Sequence, residues 1–192
     1  MEDGVSDREL LDRARAGEDR AFRLLVERYE PAVASVVTAM LGPGDDAEDV
    51  GQETFIRFHR SMGRFRGDAS LKTYLTRIAI NLSRNAMKRR IRRASRFASR
   101  DDPGNRAEEA PFLASSQDDD EIERGERERR VRRAIDRQDG KHRAVVVLRM
   151  IEGYSTRETA AILDAPEGTV LSRLSRAMRK LEADLLPYMR SE

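Results

Sequence analysis

Residues 88–123 limit the fold more than any other stretch of the chain. From 88 to 100 there are seven basic residues and no acidic one; from 101 to 123 the chain turns acid-rich and carries Pro103, Gly104, Pro111, Ser115 and Ser116. Unpaired charges are expelled from a core, and a polar segment of this kind cannot bury enough apolar surface to offset its ordering entropy. A basic helix end followed by a flexible acidic linker over 94–121 is therefore expected. It divides the 192 residues into two small lobes, 1–93 and 122–192, neither of them large enough for the core of a big enzyme.

Both lobes read as helical. Ser6 and Glu9 have capping-box spacing and open a first helix with Leu10, Leu11 and Ala14 on its apolar stripe. After Gly17, the residues Phe22, Leu25, Val26 and Tyr29 recur every three or four positions, predicting a second helix, bent at Pro31, that resumes through Val33, Val36, Val37 and Met40. Leu41-Gly42-Pro43-Gly44 ends it. Asp45 starts a third helix running to about Ser61, with Ala47, Val50, Thr54 and Phe58 on one side and Asp46, Asp49, Gln52 and Glu53 on the other. Residues 62–69 read as a structured loop. Ser70 caps a fourth helix whose buried stripe is Leu71, Tyr74, Leu75, Ile78, Ala79 and Leu82, leaving Lys72, Arg77, Asn81, Arg84, Asn85 and Lys88 as a basic, amide-rich outer face. No strand-like alternation occurs, so the fold class is all-α, without internal repeats.

The second lobe carries the pattern with the clearest mechanics. Residues 127–137 and 144–151 read as helices, the latter ending at Gly153. Ser155 and Glu158 then form a further capping box before Ala160, Ala161, Ile162 and Leu163, the two alanines allowing a close helix crossing. Asp164-Ala165-Pro166 turns the chain into a helix with Val170, Leu174, Ala177, Met178 and Leu181 facing inward. This is a helix-turn-helix. Its outward set is Thr169, Leu171, Ser172, Arg173, Ser175, Arg176 and Arg179. The helix start suits phosphates and the arginines suit guanines in a major groove. The pattern alone also fits a packed helical pair with a solvated charged face; the second basic face, in the first lobe, favours nucleic acid.

Composition narrows the classes further. With no cysteine there is no disulfide framework, thiolate nucleophile or Cys-ligated zinc, and a reducing cytoplasm is the expected setting. No apolar run approaches the roughly 20 residues of a membrane span, and the acidic start of the chain lacks the pattern of a secretory signal. His59 and His142 share no metal-ligand spacing, so no metal site and no cofactor is expected. All but four of the 37 cationic residues are Arg. Both bidentate recognition and genomic base composition account for that bias.

Once these motifs are set in order, they resemble a known family. Asp45-Asp46-Ala47-Glu48-Asp49-Val50-Gly51-Gln52-Glu53-Thr54-Phe55, then Phe65-Arg66-Gly67, Leu71-Lys72-Thr73-Tyr74-Leu75 and Arg77-Ile78-Ala79-Ile80-Asn81, resemble region 2 of bacterial sigma factors of the extracytoplasmic-function type. Glu152-Gly153-Tyr154-Ser155 through Glu158, then Pro166-Glu167-Gly168-Thr169-Val170, Ser172-Arg173-Leu174 and Arg176-Ala177, resemble region 4 of that family. The resemblance spans about 6–93 and 122–186. It implies a non-enzymatic promoter-specificity subunit of RNA polymerase, with core polymerase and promoter DNA as partners and an anti-sigma factor as a further candidate.

The resemblance also distributes roles. Asp46, Asp49, Gln52 and Glu53 would dock on the clamp helices of the largest polymerase subunit. Arg64, Arg66, Lys72, Tyr74, Arg77, Asn81, Asn85 and Lys88 would handle the −10 element, where strands separate and a flipped base needs a pocket. Thr169, Leu171, Ser172, Arg173, Ser175, Arg176 and Arg179 would read the −35 element as duplex. Tyr74 stands where many relatives carry Trp and is open to two readings, a stacking wedge or a core aromatic. Three positions depart from the pattern: Leu171 replaces a usual Lys or Arg, Gly51 a branched aliphatic, and Asp139-Gly140-Lys141 a leucine-proline pair. A linker of about 28 residues reaches roughly 90 Å when extended, enough for promoter elements roughly 50 Å apart. It is open to reading as a solvated tether or as an acidic mimic of nucleic acid in the RNA-exit path.

Two rivals remain. Asp45-Asp46-Ala47-Glu48-Asp49 superficially fits the carboxylate cluster that holds magnesium in all-α prenyl-transfer enzymes, but no second acidic cluster matches it and the lobe is too small for the cavity. A stand-alone helix-turn-helix regulator would explain the second lobe and leave the polar face of the third helix without a task.

Overall fold

A computed structural model describes residues 5–98 and 119–189, and among them there are helices and turns but no strand. The first lobe comprises α1 (Asp7–Arg15), α2 (Asp19–Leu41), α3 (Asp45–Ser61), a 3-10 turn (Met62–Arg64) and α4 (Leu71–Ala98). The second comprises α5 (Asp119–Asp136), α6 (Gly140–Val146) with a π-helical turn (Val147–Ile151), α7 (Thr156–Leu163) and α8 (Glu167–Met189). Helix α4 runs five residues past 93, and α5 begins at 119. The rest of the expected acidic linker, 99–118, lies outside the described residues, as does the chain start, 1–4.

Local chemistry sets the helix starts. The Ser6 hydroxyl accepts the Glu9 N–H at 3.3 Å, the Ser70 hydroxyl accepts the Thr73 N–H at 3.1 Å, and α3 opens with Asp45, Asp46 and Glu48 in its first turn, favourable at the positive end of the helix dipole. Around α2, the helices bury Leu10, Leu25, Val36, Met40, Phe58, Leu75 and Ile80. Tyr29 Oη donates to Asp7, while Arg28 donates to Asp7 Oδ1 at 2.7 Å and to the Val5 carbonyl at 3.0 Å, fixing the start of α1 on α2. Helix α2 is continuous through Pro31, where the sequence suggested a bend and a restart. Pro31 lies on the exposed face, so the one carbonyl it deprives of a donor can be hydrated while burial of Val33, Val36, Val37 and Met40 holds the helix together.

In the second lobe, α6 starts four residues before the expected 144. Asp139 accepts the N–H groups of Lys141 at 2.9 Å and His142 at 3.1 Å and caps the helix at Gly140. The second capping box forms fully: Ser155 N–H to Glu158 Oε2 at 2.8 Å, and Glu158 N–H to Ser155 Oγ at 3.2 Å. Asp164 closes α7 in the left-handed conformation at φ 50°. Val170, Ala177 and Leu181 of α8 are buried, and Leu174 packs on the cluster that includes Ala177 and Leu181. Met178 is 40% exposed, contrary to the inward position expected, because it lies about 100° around the helix from Ala177 and past the edge of that stripe. Likewise Ala161 is exposed, and the inner face of α7 is Thr159 and Ile162.

The lobes do not stand apart. Ala144, Val147, Leu148, Tyr154 and Ile162 join the same apolar core as α1–α4. This burial explains why α4 hides Thr73, Thr76, Ile80, Ser83 and Ala86, a second face that the single predicted stripe did not include.

Candidate nucleic-acid and partner interfaces

On α3, burying Ala47, Val50, Thr54 and Phe58 turns Asp46, Asp49 and Gln52 to solvent. Glu53 is half-buried and accepts from Arg57 Nε at 2.8 Å. Beside this acidic face, α2 and α3 enclose a groove of about 670 Å³, floored by Val33, Val37, Ala47 and Phe55 and rimmed by Glu30, Glu48 and Gln52. Gly51 lines it, and a Cβ there would meet nothing within 4 Å.

The loop after α3 carries Arg64 and Arg66, both exposed. It is held by Arg15, whose guanidinium donates to the Met62 carbonyl at 2.8 and 3.0 Å and to that of Phe65. Sequence reasoning passed over Arg15, because a helical arginine bonding backbone 47 residues away leaves no local pattern. Tyr74 is half-buried, its ring 4.9 Å from Phe65 and 6.3 Å from Phe58 between centroids, and its hydroxyl donates to Ser61 Oγ at 2.9 Å. These contacts support the packing reading of Tyr74. Lys72, Arg77, Asn81, Asn85 and Lys88 are exposed along α4 as expected, and Arg84 is half-buried.

Two of those cations meet the second lobe. Lys72 Nζ lies over the Tyr154 ring, 5.5 Å from its centroid, and Arg77 Nη2 is 3.9 Å from Asp164 Oδ2. Tyr154 is buried, and its hydroxyl shares a 2.8 Å hydrogen bond with Thr76 Oγ1. Burial pushes the Tyr154 phenol above its ordinary pKa, against the opposing effect of that hydrogen bond.

The outer face of α8 is open. Leu171, Ser172, Ser175, Arg176 and Arg179 are exposed, and Thr169 and Arg173 are half-buried beside them. Ser172 Oγ is turned back to the Thr169 carbonyl at 3.1 Å. The structure therefore brings together one acidic face, one basic and amide-bearing face, and one arginine-bearing helix face. The two histidines have partners of their own: His59 meets the Phe22 ring edge-on at 4.8 Å, and His142 Nδ1 is 2.7 Å from Asp139 Oδ2. Among the described residues, no group of three or more His, Cys, Asp or Glu side chains is arranged to hold a metal ion. No described helix is long and apolar enough to cross a membrane.

Sequence reasoning also missed Arg132 and Arg143. Arg143 is buried and donates across the lobes to the Met40 carbonyl at 2.7 Å, and Arg132 donates to that of Thr38. The one available signal was a charge adjoining the apolar run 144–148.

Comparison with known proteins places the chain in a family. Residues 25–97 match the sequence profile of Sigma-70 region 2, and residues 128–181 that of Sigma-70, region 4. The chain is 34% identical over 191 residues to the RNA polymerase sigma-H factor of Pseudomonas aeruginosa, covering 96% of each. It is 34% identical over 191 residues to the ECF RNA polymerase sigma-E factor of Escherichia coli K12, covering 99% of this chain and all of the relative. Among solved structures, CnrH in complex with the cytosolic domain of CnrY aligns with a TM-score of 0.64 at 30% identity, over 93% of this chain and 96% of the other.

Proposed function

This chain belongs to the sigma-70 family as a sigma factor of the extracytoplasmic-function type, a non-enzymatic subunit that directs promoter-specific transcription initiation with core RNA polymerase, and we propose how its faces divide that work. Residues 1–93 form the lobe that grips polymerase and opens DNA, 94–121 the tether, and 122–192 the lobe that reads duplex.

Asp46, Asp49, Gln52 and Glu53 dock on the clamp helices of the polymerase's largest subunit. The exposure of Asp46, Asp49 and Gln52 on one face of α3, with Glu53 half-buried beside them, supports this, and opposite charges on the partner would steer the encounter. Arg64, Arg66, Lys72, Arg77, Asn81, Asn85 and Lys88 bind the −10 strand, cations meeting phosphate and amides meeting base edges, with Tyr74 positioning the loop from within the aromatic cluster. Thr169, Ser172, Arg173, Ser175, Arg176 and Arg179 meet the −35 duplex. Leu171, 54% exposed on that face, makes apolar contact with a thymine methyl instead of a phosphate or guanine contact. An anti-sigma factor is a further partner, in keeping with the similar structure that was solved with a second protein bound. The protein works in the cytoplasm, where polymerase and promoter are.

The observation that carries this division is α8: one side buries Val170, Ala177 and Leu181, and the other offers Ser172, Ser175, Arg176 and Arg179 to solvent. Gel-shift titration of a −35 duplex, with and without core polymerase, tests it. Tight, sequence-specific binding with core and weak binding without it is the expected result, with affinity falling steeply as salt rises. Equal specific affinity without core would favour a stand-alone regulator.

A further inference from the structure

The segment 62–70 between α3 and α4 has little apolar burial to hold it in one conformation. Of its residues all but Met62 and Phe65 are exposed, and Gly67 stands at φ 81°, where glycine is favoured. On the side facing α1, an open cleft of about 500 Å³ lined by Leu11, Asp12, Arg15, Phe65, Arg66 and Ser70, among others, takes the place of close packing. A stretch this exposed pays its ordering entropy with few contacts, so the few it makes decide its shape.

Two clamps supply them. From the α4 side, the Tyr74 ring lies 4.9 Å from that of Phe65. From the α1 side comes Arg15, in the last turn of that helix. Its Nε and Nη2 both donate to the Met62 carbonyl, at 3.0 and 2.8 Å, and Nη2 donates to the Phe65 carbonyl as well. The Met62 carbonyl also accepts the Phe65 N–H at 3.2 Å, so the fork closes on a turn that is already hydrogen-bonded. Asp12 Oδ1, 3.3 Å from Nη1, orients the guanidinium, and α1 is itself tied to α2 through Asp7. A planar fork on a fixed helix sets the separation and direction of two carbonyls, which a single ammonium cannot do. The two carbonyls flank Arg64 and immediately precede Arg66, so the fork fixes where both cations leave the backbone.

We propose that Arg15 is a positioning residue for −10 recognition: by gripping the Met62 and Phe65 carbonyls it preforms the loop, and thereby sets how sharply the loop discriminates among −10 sequences. The proposal rests on the reading of this loop as part of the −10 face. A loop ordered beforehand does not pay its ordering cost when the strand binds, and discrimination between bases depends on donors held in place. Arg15 spends its donors on its own chain and not on phosphate. Its loss therefore blurs the choice of sequence without removing a charge contact to DNA, which separates it from the exposed cations of the same face.

The test uses the full chain assembled with core polymerase and fork-junction DNA whose single-stranded −10 segment is randomised, the bound fraction being sequenced. The unaltered protein is expected to enrich a defined −10 motif. Arg15→Met, which keeps the aliphatic stem, is expected to cut that enrichment about tenfold, while −35 preference and the salt dependence of binding stay as they were. Arg15→Lys, which keeps the charge without the fork, is expected to recover part of the loss; if melting shows that Arg15→Met does not fold, Arg15→Lys carries the test with a smaller loss expected. Unchanged −10 enrichment in a folded variant would overturn the proposal. So would a salt slope shallower by about 0.7 in Arg15→Met, the mark of one lost phosphate contact on a single strand, since Arg15 would then be touching DNA directly. Failure of the underlying reading shows differently, as the absence of any enriched −10 motif with the unaltered protein, and would remove the loop's role and that of Arg15 together.

Discussion

Tyr74 illustrates what a single side chain decides. Its hydroxyl is tied to Ser61 and its ring to Phe58 and Phe65, so it holds the loop after α3 against α4. Tyr74→Phe should cost about 1 kcal/mol in denaturant melts, the worth of one partly buried hydrogen bond, and leave promoter opening intact. Loss of opening in the phenylalanine variant at unchanged stability would point to direct work by the hydroxyl on DNA. Arg176 is exposed on α8, and Arg176→Ala should remove about 1–3 kcal/mol of −35 discrimination in holoenzyme footprints. Unaltered discrimination would move the reading to its neighbours. Side chains acting through local spacing were legible in the sequence, among them Ser155 with Glu158 and the outer residues of α8. Arg15, Arg132 and Arg143 were not, since each bonds backbone far away in the chain and none has a neighbour that betrays its target.

Helix starts and inner faces follow from short-range rules, and the four inward residues of α3 are those its periodicity predicts. The misses have equally local causes: Met178 sits just beyond a narrow stripe, and Asp139 caps α6 at a place where the family pattern differs. Gly51 is a consequence of scale, a backbone choice in mid-helix with open space where its side chain would be. Gly51→Ala should stabilise the first lobe by about 0.5–1 kcal/mol, seen as a higher melting temperature. A lower one would mean that the helix needs the glycine for a reason other than space.

Acid acts at the same level, on helix ends and turns. A hydrogen bond from Arg13 holds the Glu18 carboxyl below its usual range, and the Ser155 hydroxyl and N–H do the same for Glu158. Burial pushes Asp139 up, but hydrogen bonds from the His142 ring and from the His142 and Lys141 N–H groups outweigh it and leave its pKa lowered. A carboxyl whose folded pKa is depressed adds stability that is fully present above its unfolded value and lost as pH falls through the folded one. These three groups should therefore leave stability flat from neutral pH to roughly pH 5 and lower it below roughly pH 4. Thermal melts across that range test the sign; stability rising on acidification would contradict it.

At the scale of the molecule, the all-α class and the division around residues 88–123 were legible, because charge blocks and apolar periods survive without knowledge of contacts. The closed packing of the lobes was not. It depends on Thr76, Ile80 and Ser83 being buried on a second face of α4, and nothing in a one-stripe pattern distinguishes a polar residue awaiting a partner from one facing water. The acidic face of α3, the basic face of α4 and the arginine-bearing face of α8, by contrast, are exposed where their composition suggested. The most direct test of their joint function is run-off transcription by core polymerase reconstituted with this protein on fragmented genomic DNA, with the 5′ ends of the transcripts sequenced. Start sites that appear only with the protein, share −10 and −35 elements at constant spacing, and vanish with Asp49→Arg are the predicted result. Start sites identical to those of core polymerase alone, or no association with core, would contradict the account.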